Sequence, residues 1–183
     1  LLVWSRIEFF IVKRADLLIT ASQAIADSFR YASKKSIVIY NFPSRSYAST
    51  FPTPKRKIHT TFNKDTFKLI YTGSVFRGNN LSPLCKALQL LDDRLLQRTE
   101  FHYYGLSSIY VRKTFDKYGL TKILCDHGLE KKSVVLSALT GSDLAICTIH
   151  SSTKKPLILH NGIITTKIFD YIITGIPTII VAP

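Results

Sequence analysis

The sequence predicts an α/β protein with a Rossmann-like parallel sheet and flanking helices, and three observations support this prediction. From residue 67 onward, short apolar strands alternate with amphipathic helical segments, which is the rhythm of βαβ crossovers. The last apolar run, residues 176–182, carries no charge, as expected for a parallel strand that is covered on both faces. The hydrophobic content of 46% is that of an ordinary globular core.

The chain is strongly basic. Its 183 residues include 25 Lys and Arg residues against 12 Asp and Glu residues, which gives a formal net charge of +13. Such a charge favours acidic partners, namely nucleotide phosphates, anionic lipid or nucleic acid. Because the basic residues are spread along the chain, a solvated basic surface is the simpler explanation for most of them.

The cysteines are few and far apart. Cys85, Cys125 and Cys147 form no Cys-x-x-Cys pair and no Cys/His metal spacing. This pattern predicts reduced, buried thiols of a cytosolic protein and argues against a zinc site. No apolar run approaches the roughly 20 residues of a membrane-spanning helix. Since the chain begins at Leu1 rather than at methionine, we expect a fragment of a longer protein.

The first 43 residues predict alternating helices and short strands. A first helix, residues 4–14, has apolar residues at helical spacing and basic residues among them. This helix suits contact with a membrane, although packing against a part of the protein outside this sequence explains its apolar face better. The following elements are a strand at 17–20, a helix at 23–30 capped by Ser22, and a strand at 37–40.

Residues 44–66 predict a linker, because they are rich in Pro, Ser and Thr and show no periodicity. After them the regular alternation begins. Its predicted strands lie at 67–72, 101–105, 123–125 (which runs into residues 126–128) and 143–149, and its predicted helices at 81–91, 109–118 and 131–139. Ligands of an open parallel sheet bind beyond the carboxyl ends of the strands, so the loops that follow these strands are the candidate binding loops.

A late helix carries the clearest binding signal. Thr165 or Thr166 suits its N-cap, and Gly175 ends it because glycine readily adopts the left-handed conformation. The free N–H groups and the dipole of a helix N-terminus attract anions. Lys167 lies in the first turn, where its charge opposes the dipole and does not help the helix, so a role facing an anion is plausible. An ordinary αβ unit with a solvated lysine is the alternative.

A second candidate loop, residues 73–78, follows the first strand of the alternation. It is small and rich in backbone groups, and Arg77 is able to bind phosphate oxygens with its guanidinium fork. The loop is neither a Walker A nor a Gly-x-Gly-x-x-Gly sequence, so a plain βα turn is an equally simple interpretation.

Six segments in the right order resemble the GT-B glycosyltransferases of the family 4 type. One of them, Lys167–Tyr171 followed by Gly175-Ile176-Pro177, is similar to the "K-hydrophobic-F-E-Y-x-x-x-G-x-P" signature of that family. The other five lie across the rest of the chain: Ala15–Ser22, Ile39–Pro43, Tyr71–Ser74 with Arg77 and Gly78, Ile123–Gly128, and Ser142–Ile146.

The resemblance implies three parts. Residues 1–43 would be the end of the N-terminal acceptor domain, residues 44–66 the interdomain linker, and residues 67–183 a nucleotide-sugar-binding, Rossmann-like donor domain. The activity implied is transfer of a sugar from a nucleotide-diphosphate sugar to a glycan or lipid-linked saccharide, with retention of configuration. The family works without a metal or other cofactor, so cationic groups and the helix dipole would stabilise the leaving diphosphate.

The resemblance also assigns roles to residues. Those expected to hold the diphosphate are Gly73, Ser74, Arg77, Thr165, Thr166 and Lys167. Asp170 takes the position of the carboxylate that bonds the ribose hydroxyls, and His127, Gly128 and Leu129 lie in the loop that meets the base. Two departures stand out: many members have a further acid where Gly162 stands and an arginine where Ser74 stands.

Other functions remain open on the sequence alone. A non-catalytic basic α/β module that binds nucleic acid or an anionic membrane fits the charge, but no nucleic-acid-binding motif is present and we expect no nucleic acid as partner. A GT-B-like epimerase shares the donor fold, and a phosphorylase would need a cofactor lysine that we cannot place. His150 and His160 flank the loop where the sugar would lie, and solvated histidines explain them more simply. We expect a cytoplasmic protein, with peripheral contact at the inner face of the membrane where the acceptor is lipid-linked.

Overall fold

The computed structural model describes residues 2–29, 35–42, 65–75, 81–106, 108–148 and 165–181. The described residues form two compact units. The first contains the residues up to 42 together with 165–166, and the second contains those of 65–148 together with 167–181. Several predictions lie outside the described residues, namely almost all of the linker, the side chain of Trp4, Arg77, His150, His160 and Gly162.

The first unit is a small α/β element. Its helices and strands are α1 (Leu2–Arg14), β1 (Leu18–Thr20), α2 (Gln23–Ser28) and β2 (Ser36–Val38). The two strands pair in parallel, with Ile19 opposite Ile37. Ser22 caps α2 as the sequence predicts, because its Oγ accepts a hydrogen bond from the Ile25 N–H at 3.3 Å. On α1, Phe10 of the predicted apolar stripe is 54% exposed.

The second unit is built on a five-stranded sheet in the order β5-β4-β3-β6-β7. Every neighbouring pair of strands is parallel, which confirms the predicted sheet. The strands are β3 (Phe67–Thr72), β4 (Thr99–Tyr104), β5 (Leu124–Gly128), β6 (Leu144–Thr148) and β7 (Thr178–Val181). The predicted bounds of β3 match those observed.

Helices cover both faces of the sheet. They are α3 (Ser82–Leu88), α4 (Asp93–Gln97), α5 (Ser108–Lys117), α6 (Lys132–Gly141) and α7 (Lys167–Thr174), and a 3-10 turn at Thr121–Ile123 precedes β5. Together with the parallel sheet they give the Rossmann-like α/β architecture that the sequence predicts.

Alternating side chains divide the interior into two cores. The first core lies under α3 and α5 and includes Tyr71 and Ile146. The second core lies under α6 and α7 and includes Ile70 and Cys147. Since successive residues of a strand point to opposite faces, the two cores lie on opposite sides of the sheet. Two of the three thiols are buried, Cys85 in the first core and Cys147 in the second.

The end of α7 follows the sequence prediction. Gly175 adopts a φ of +62°. Its N–H bonds the Ile172 carbonyl at 3.1 Å, and the Ile176 N–H bonds the Tyr171 carbonyl at 3.3 Å. These two bonds form a Schellman motif, which satisfies carbonyls that the helix itself leaves free.

One prediction is wrong in detail. The last strand is not covered on both faces, because β7 lies at the edge of the sheet and leaves Ile179 47% exposed and Ile180 49% exposed. The Asp92 carboxylate caps the short helix α4 by accepting a hydrogen bond from the Leu95 N–H at 2.7 Å. Among the described residues, no helix has the length and apolar character that a bilayer crossing requires.

Candidate functional site

Three glycines link the carboxyl ends of neighbouring strands. Gly73 follows β3, Gly105 follows β4 and Gly128 ends β5. The Gly73 N–H donates to the Tyr104 carbonyl at 2.7 Å, and the Gly105 N–H donates to the Gly128 carbonyl, also at 2.7 Å. Gly73 has a φ of +97° and Gly128 a φ of +67°, a region that favours glycine. Hydrogen bonding between the three strands therefore continues past their regular ends.

Gly105 allows the loop that begins at Gly73 to lie close to the end of β4. A Cβ atom on Gly105 would lie 2.3 Å from the carbonyl oxygen of Gly73, so no side chain fits there. Nearby, the Tyr103 hydroxyl accepts a hydrogen bond from the Val75 N–H at 3.2 Å and donates to the Leu106 carbonyl. Burial raises the pKa of Tyr103 to about 12, which keeps this hydroxyl protonated. The hydrogen bond from Val75 thus holds the beginning of the loop against β4.

Lys167 reaches the same edge from the first residue of α7. Its Nζ donates a hydrogen bond to the Tyr71 hydroxyl at 2.7 Å and lies 3.9 Å from the centre of the Tyr71 ring. A Cβ atom on Gly73 would lie 3.3 Å from Cε of Lys167. Because Tyr71 faces the first core while α7 covers the second, the lysine side chain crosses the carboxyl edge of the sheet to reach its partner.

Two buried tyrosines fix this arrangement. The Tyr71 hydroxyl shares a hydrogen bond of 3.1 Å with Thr148 Oγ1, at the end of β6. The Tyr171 hydroxyl, on α7, accepts from the Thr72 N–H at 3.2 Å and donates to the Ile146 carbonyl at 3.3 Å. Burial raises the pKa of Tyr171 well above its usual range, so its hydroxyl stays protonated. These bonds attach α7 to the ends of β3 and β6.

Asp170 lies one turn into α7 and has a protein partner. Its carboxylate forms an ion pair with Lys132 Nζ, at the start of α6. The side chain of Asp170 is 13% exposed and that of Lys132 is 56% exposed. The pair connects the N-terminal ends of two neighbouring helices on one face of the sheet.

The three residues expected near a base lie at the edge strand β5. His127 stacks on Tyr104, with ring centres 4.3 Å apart, and so packs against the sheet face. Burial and the neighbouring His102 lower the pKa of His127, while nearby carboxylates oppose the change. Both backbone polar groups of Gly128 are engaged, since its N–H donates to Asp126 at 3.1 Å and its carbonyl accepts from the Gly105 N–H. Leu129 is 72% exposed.

The Asp126 carboxylate supports the turn at Gly128 through hydrogen bonds. It accepts hydrogen bonds from Ser108 Oγ at 2.9 Å and from Arg112 Nε at 2.6 Å. Burial alone would raise the pKa of Asp126, but the hydrogen bonds from Arg112, Ser108 and the Gly128 N–H together hold it below its ordinary value. Asp126 is therefore an ionised anchor and not a proton donor at neutral pH.

The remaining predicted residues are only partly described. Thr165 and Thr166 directly precede α7, and Thr165 Oγ1 is a buried atom without a hydrogen-bond partner among the described residues. Ser74 Oγ accepts a hydrogen bond from the Leu106 N–H at 3.3 Å. Arg77 lies outside the described residues. The structure thus brings Gly73 and Lys167 together, and it places His127, Gly128 and Leu129 at the end of the edge strand β5, which β4 separates from β3.

Comparison with known proteins gives matches in structure alone. No protein-family model matches this sequence, and no curated protein sequence matches it. One matching structure is WaaG, a glycosyltransferase involved in lipopolysaccharide biosynthesis. The two sequences are 15% identical, the match covers 89% of this chain and 43% of WaaG, and the TM-score is 0.61. Another is the pneumococcal O-GlcNAc transferase GtfA in complex with UDP and GlcNAc: 13% identity, 94% of this chain, 31% of GtfA and a TM-score of 0.58.

A third match is trehalose-6-phosphate synthase, in a study of glycosyltransfer with retention: 8% identity, 95% of this chain, 47% of the synthase and a TM-score of 0.64. The chain has the GT-B glycosyltransferase fold. It spans less than half the length of each of these three structures. The likeness therefore concerns a part of the GT-B molecule.

Within the GT-B fold, the arrangement around Lys167 is suited to an oxyanion. A primary ammonium group lies beside a glycine at the carboxyl edge of a parallel sheet, and the N-terminus of α7 adds its dipole. Sequence reasoning missed Tyr71, Gly105 and Lys132. A glycine at the end of a predicted strand was a usable signal for Gly105, but the partners of Lys167 and Asp170 depend on how the helices lie on the sheet.

Proposed function

We propose that this chain supplies the donor-binding part of a retaining, family 4 type glycosyltransferase. Its substrate would be a nucleotide-diphosphate sugar, and its acceptor a glycan or a lipid-linked saccharide. The proposal rests on the fold together with one local observation, the placement of Lys167 Nζ against Tyr71 and beside Gly73. A fixed ammonium group at this edge is able to stabilise a diphosphate as it leaves the sugar.

The other residues act around this centre in the proposed function. The first N–H groups of α7, which follow Thr165 and Thr166, would bind the diphosphate, and Gly73, Ser74 and Arg77 are also proposed to bind it. Asp170 would bind the ribose hydroxyls. Its carboxylate would then either contact Lys132 and the ribose together or leave Lys132 for the ribose. No metal or other cofactor takes part in this proposal.

The base would meet the end of β5. Because Gly128 uses both backbone groups within the protein, the exposed Leu129 and the backbone around it are better placed to contact a base than Gly128 itself. His127 would form the wall of this subsite, since it is stacked against Tyr104.

The decisive test is calorimetric titration of the folded chain with UDP, GDP and ADP at fixed salt. We expect saturable binding of one diphosphate, weakened about tenfold or more by Lys167→Ala, which corresponds to the loss of one charge-assisted contact. Lys122→Ala is the matched control, because Lys122 is exposed in the turn before β5, at the opposite edge of the sheet. Arg77→Ala should act like Lys167→Ala.

Two results would contradict the proposal. One is equal affinity of wild type, Lys167→Ala and Arg77→Ala for every diphosphate. The other is salt-sensitive binding of a random oligonucleotide without any diphosphate binding, which would favour a basic nucleic-acid-binding module. Circular dichroism of each variant excludes loss of the fold as the cause of weak binding.

A further inference from the structure

A second cluster of polar side chains lies on one face of the sheet, away from Lys167. Glu100 and His102 are two residues apart on β4 and therefore point to the same face. Cys125, on the edge strand β5, is the register partner of His102. Strand pairing thus brings a carboxylate, an imidazole and a thiol together, although Cys125 is far from Glu100 and His102 in the sequence.

The three ligand atoms converge. One oxygen of Glu100, one ring nitrogen of His102 and Sγ of Cys125 all lie within 4.8 Å of one another. His102 Nε2 is 2.9 Å from Glu100 Oε2. The side chain of His102 is 16% exposed and that of Glu100 is 39% exposed, so the cluster is supported by the sheet and open to solvent on one side.

The other nitrogen of His102 is also held. His102 Nδ1 lies 3.0 Å from His127 Nε2, and the two rings stack with centres 5.2 Å apart. His127 in turn stacks on Tyr104. Histidines that bind metals nearly always make a hydrogen bond through their second ring nitrogen, which fixes the ring and its tautomer. His102 has such a partner at Nδ1, while its Nε2 faces Glu100.

We propose that Glu100, His102 and Cys125 form a binding site for a divalent transition metal ion, with Zn²⁺ as the favoured ion. Thiolate, imidazole and carboxylate are the three ligand types that zinc uses in proteins, and this mixed set is too soft for Mg²⁺ or Ca²⁺. Three protein ligands leave the fourth tetrahedral position to water. Binding releases the proton of the Cys125 thiol to solvent, since the thiolate is the ligand.

The charge around the site is consistent with this ion. Glu100 and the Cys125 thiolate together neutralise a dication. Burial and the neighbouring Glu100 raise the pKa of the Cys125 thiol, and Lys68, the register partner of Glu100 on β3, offsets only part of this increase, so the metal ion itself has to displace the thiol proton. The site would fasten the edge strand β5 to β4 just before the turn at Gly128. The metal site shares none of its three ligands with the proposed diphosphate site, although His127, which holds His102, also borders the proposed base subsite, and neither proposal depends on the other.

The test is titration of the untagged protein with Co²⁺, which reports thiolate ligation through a charge-transfer band in the near ultraviolet. We expect a band that saturates at one Co²⁺ per chain and that Zn²⁺ abolishes by competition. Cys125→Ser should remove the band, and His102→Gln should weaken binding at least tenfold. His127→Asn, which removes the partner of His102, should weaken it by about 10–100-fold.

Glu130→Gln is the matched control for Glu100→Gln, because Glu130 is an exposed acid just after β5. It should bind Co²⁺ like wild type, whereas Glu100→Gln should bind more weakly. As a second measurement, Zn²⁺ should raise the melting temperature of wild type but not of Cys125→Ser, since a ligand that binds only the folded state stabilises it. The proposal is overturned if wild type shows no charge-transfer band, or if the band persists in Cys125→Ser.

Discussion

Replacing Tyr71 by phenylalanine isolates the role of a single buried hydroxyl. This group accepts a hydrogen bond from Lys167 Nζ at 2.7 Å and shares another of 3.1 Å with Thr148 Oγ1. The phenylalanine ring keeps the 3.9 Å contact with the lysine and the stacking on Tyr103, whose ring centre lies 5.9 Å away. Tyr71→Phe therefore removes the hydrogen bonds and leaves the packing unchanged.

The magnitude follows from the two lost bonds. A hydrogen bond from a charged donor contributes about 1.5–3 kcal/mol and a neutral one about 1 kcal/mol, and leaving Thr148 without this partner adds a penalty because Thr148 is buried. Lys167 is only half-buried and regains water contacts, which offsets part of the loss. We expect the free energy of unfolding to fall by about 1–3 kcal/mol. We expect diphosphate affinity to fall about three- to tenfold, less than in Lys167→Ala.

Urea denaturation and calorimetry on the same preparations measure both quantities. Tyr110→Phe is the control, because Tyr110 is 42% exposed on α5 and its substitution should change neither result. Tyr71→Leu extends the series by removing the ring contact as well, and it should bind diphosphate more weakly than Tyr71→Phe. If Tyr71→Phe matches wild type in both stability and affinity, the hydroxyl does not position the lysine and the reasoning is refuted.

Two further predictions concern the turns at the carboxyl edge. Gly105→Ala should lower stability by about 1–3 kcal/mol, because the new Cβ would overlap the Gly73 carbonyl, whereas Gly141→Ala should be harmless since nothing lies within 4 Å of its added Cβ. Equal melting temperatures of these two variants would contradict the close approach. Because the pKa of Asp126 is lowered by folding, its contacts with Arg112 and its neighbours stabilise the protein above the ordinary carboxyl pKa, and that contribution is lost as pH falls through the lowered value. The melting-temperature difference between wild type and Asp126→Asn should thus be largest near neutral pH and shrink in acid, and a difference that grows in acid would oppose this view.

Much of the fold was predictable because local signals agreed with the tertiary structure. The bounds of β3 and the stop of α7 at Gly175 follow from apolar runs and from the conformational freedom of glycine. The covering of β7 was not predictable in this way. An apolar run such as residues 178–181 reads the same in a central strand and in an edge strand, and only the strand order distinguishes them.

The sequence indicated which segments carry the candidate site, but it did not indicate which side chains contact one another there. Threonines before a helix, a lysine in its first turn and a glycine after a strand indicated an anion site, and the structure brings Lys167 to Gly73. The ion pair of Asp170 with Lys132 joins residues 38 positions apart, and nothing in the local sequence reports it. The same holds for Glu100, His102 and Cys125, which only the pairing of β4 with β5 brings together.

The reactivity of the three cysteine thiols can report local opening of the fold. Cys85 is 0% exposed on one side of the sheet and Cys147 is 1% exposed on the other, while Cys125 is partly accessible. A thiol reagent should therefore modify Cys125 first, and the other two only when their own side of the protein opens. Comparing the reaction rates of Cys85 and Cys147 therefore shows which side of the sheet opens more readily, without any added label.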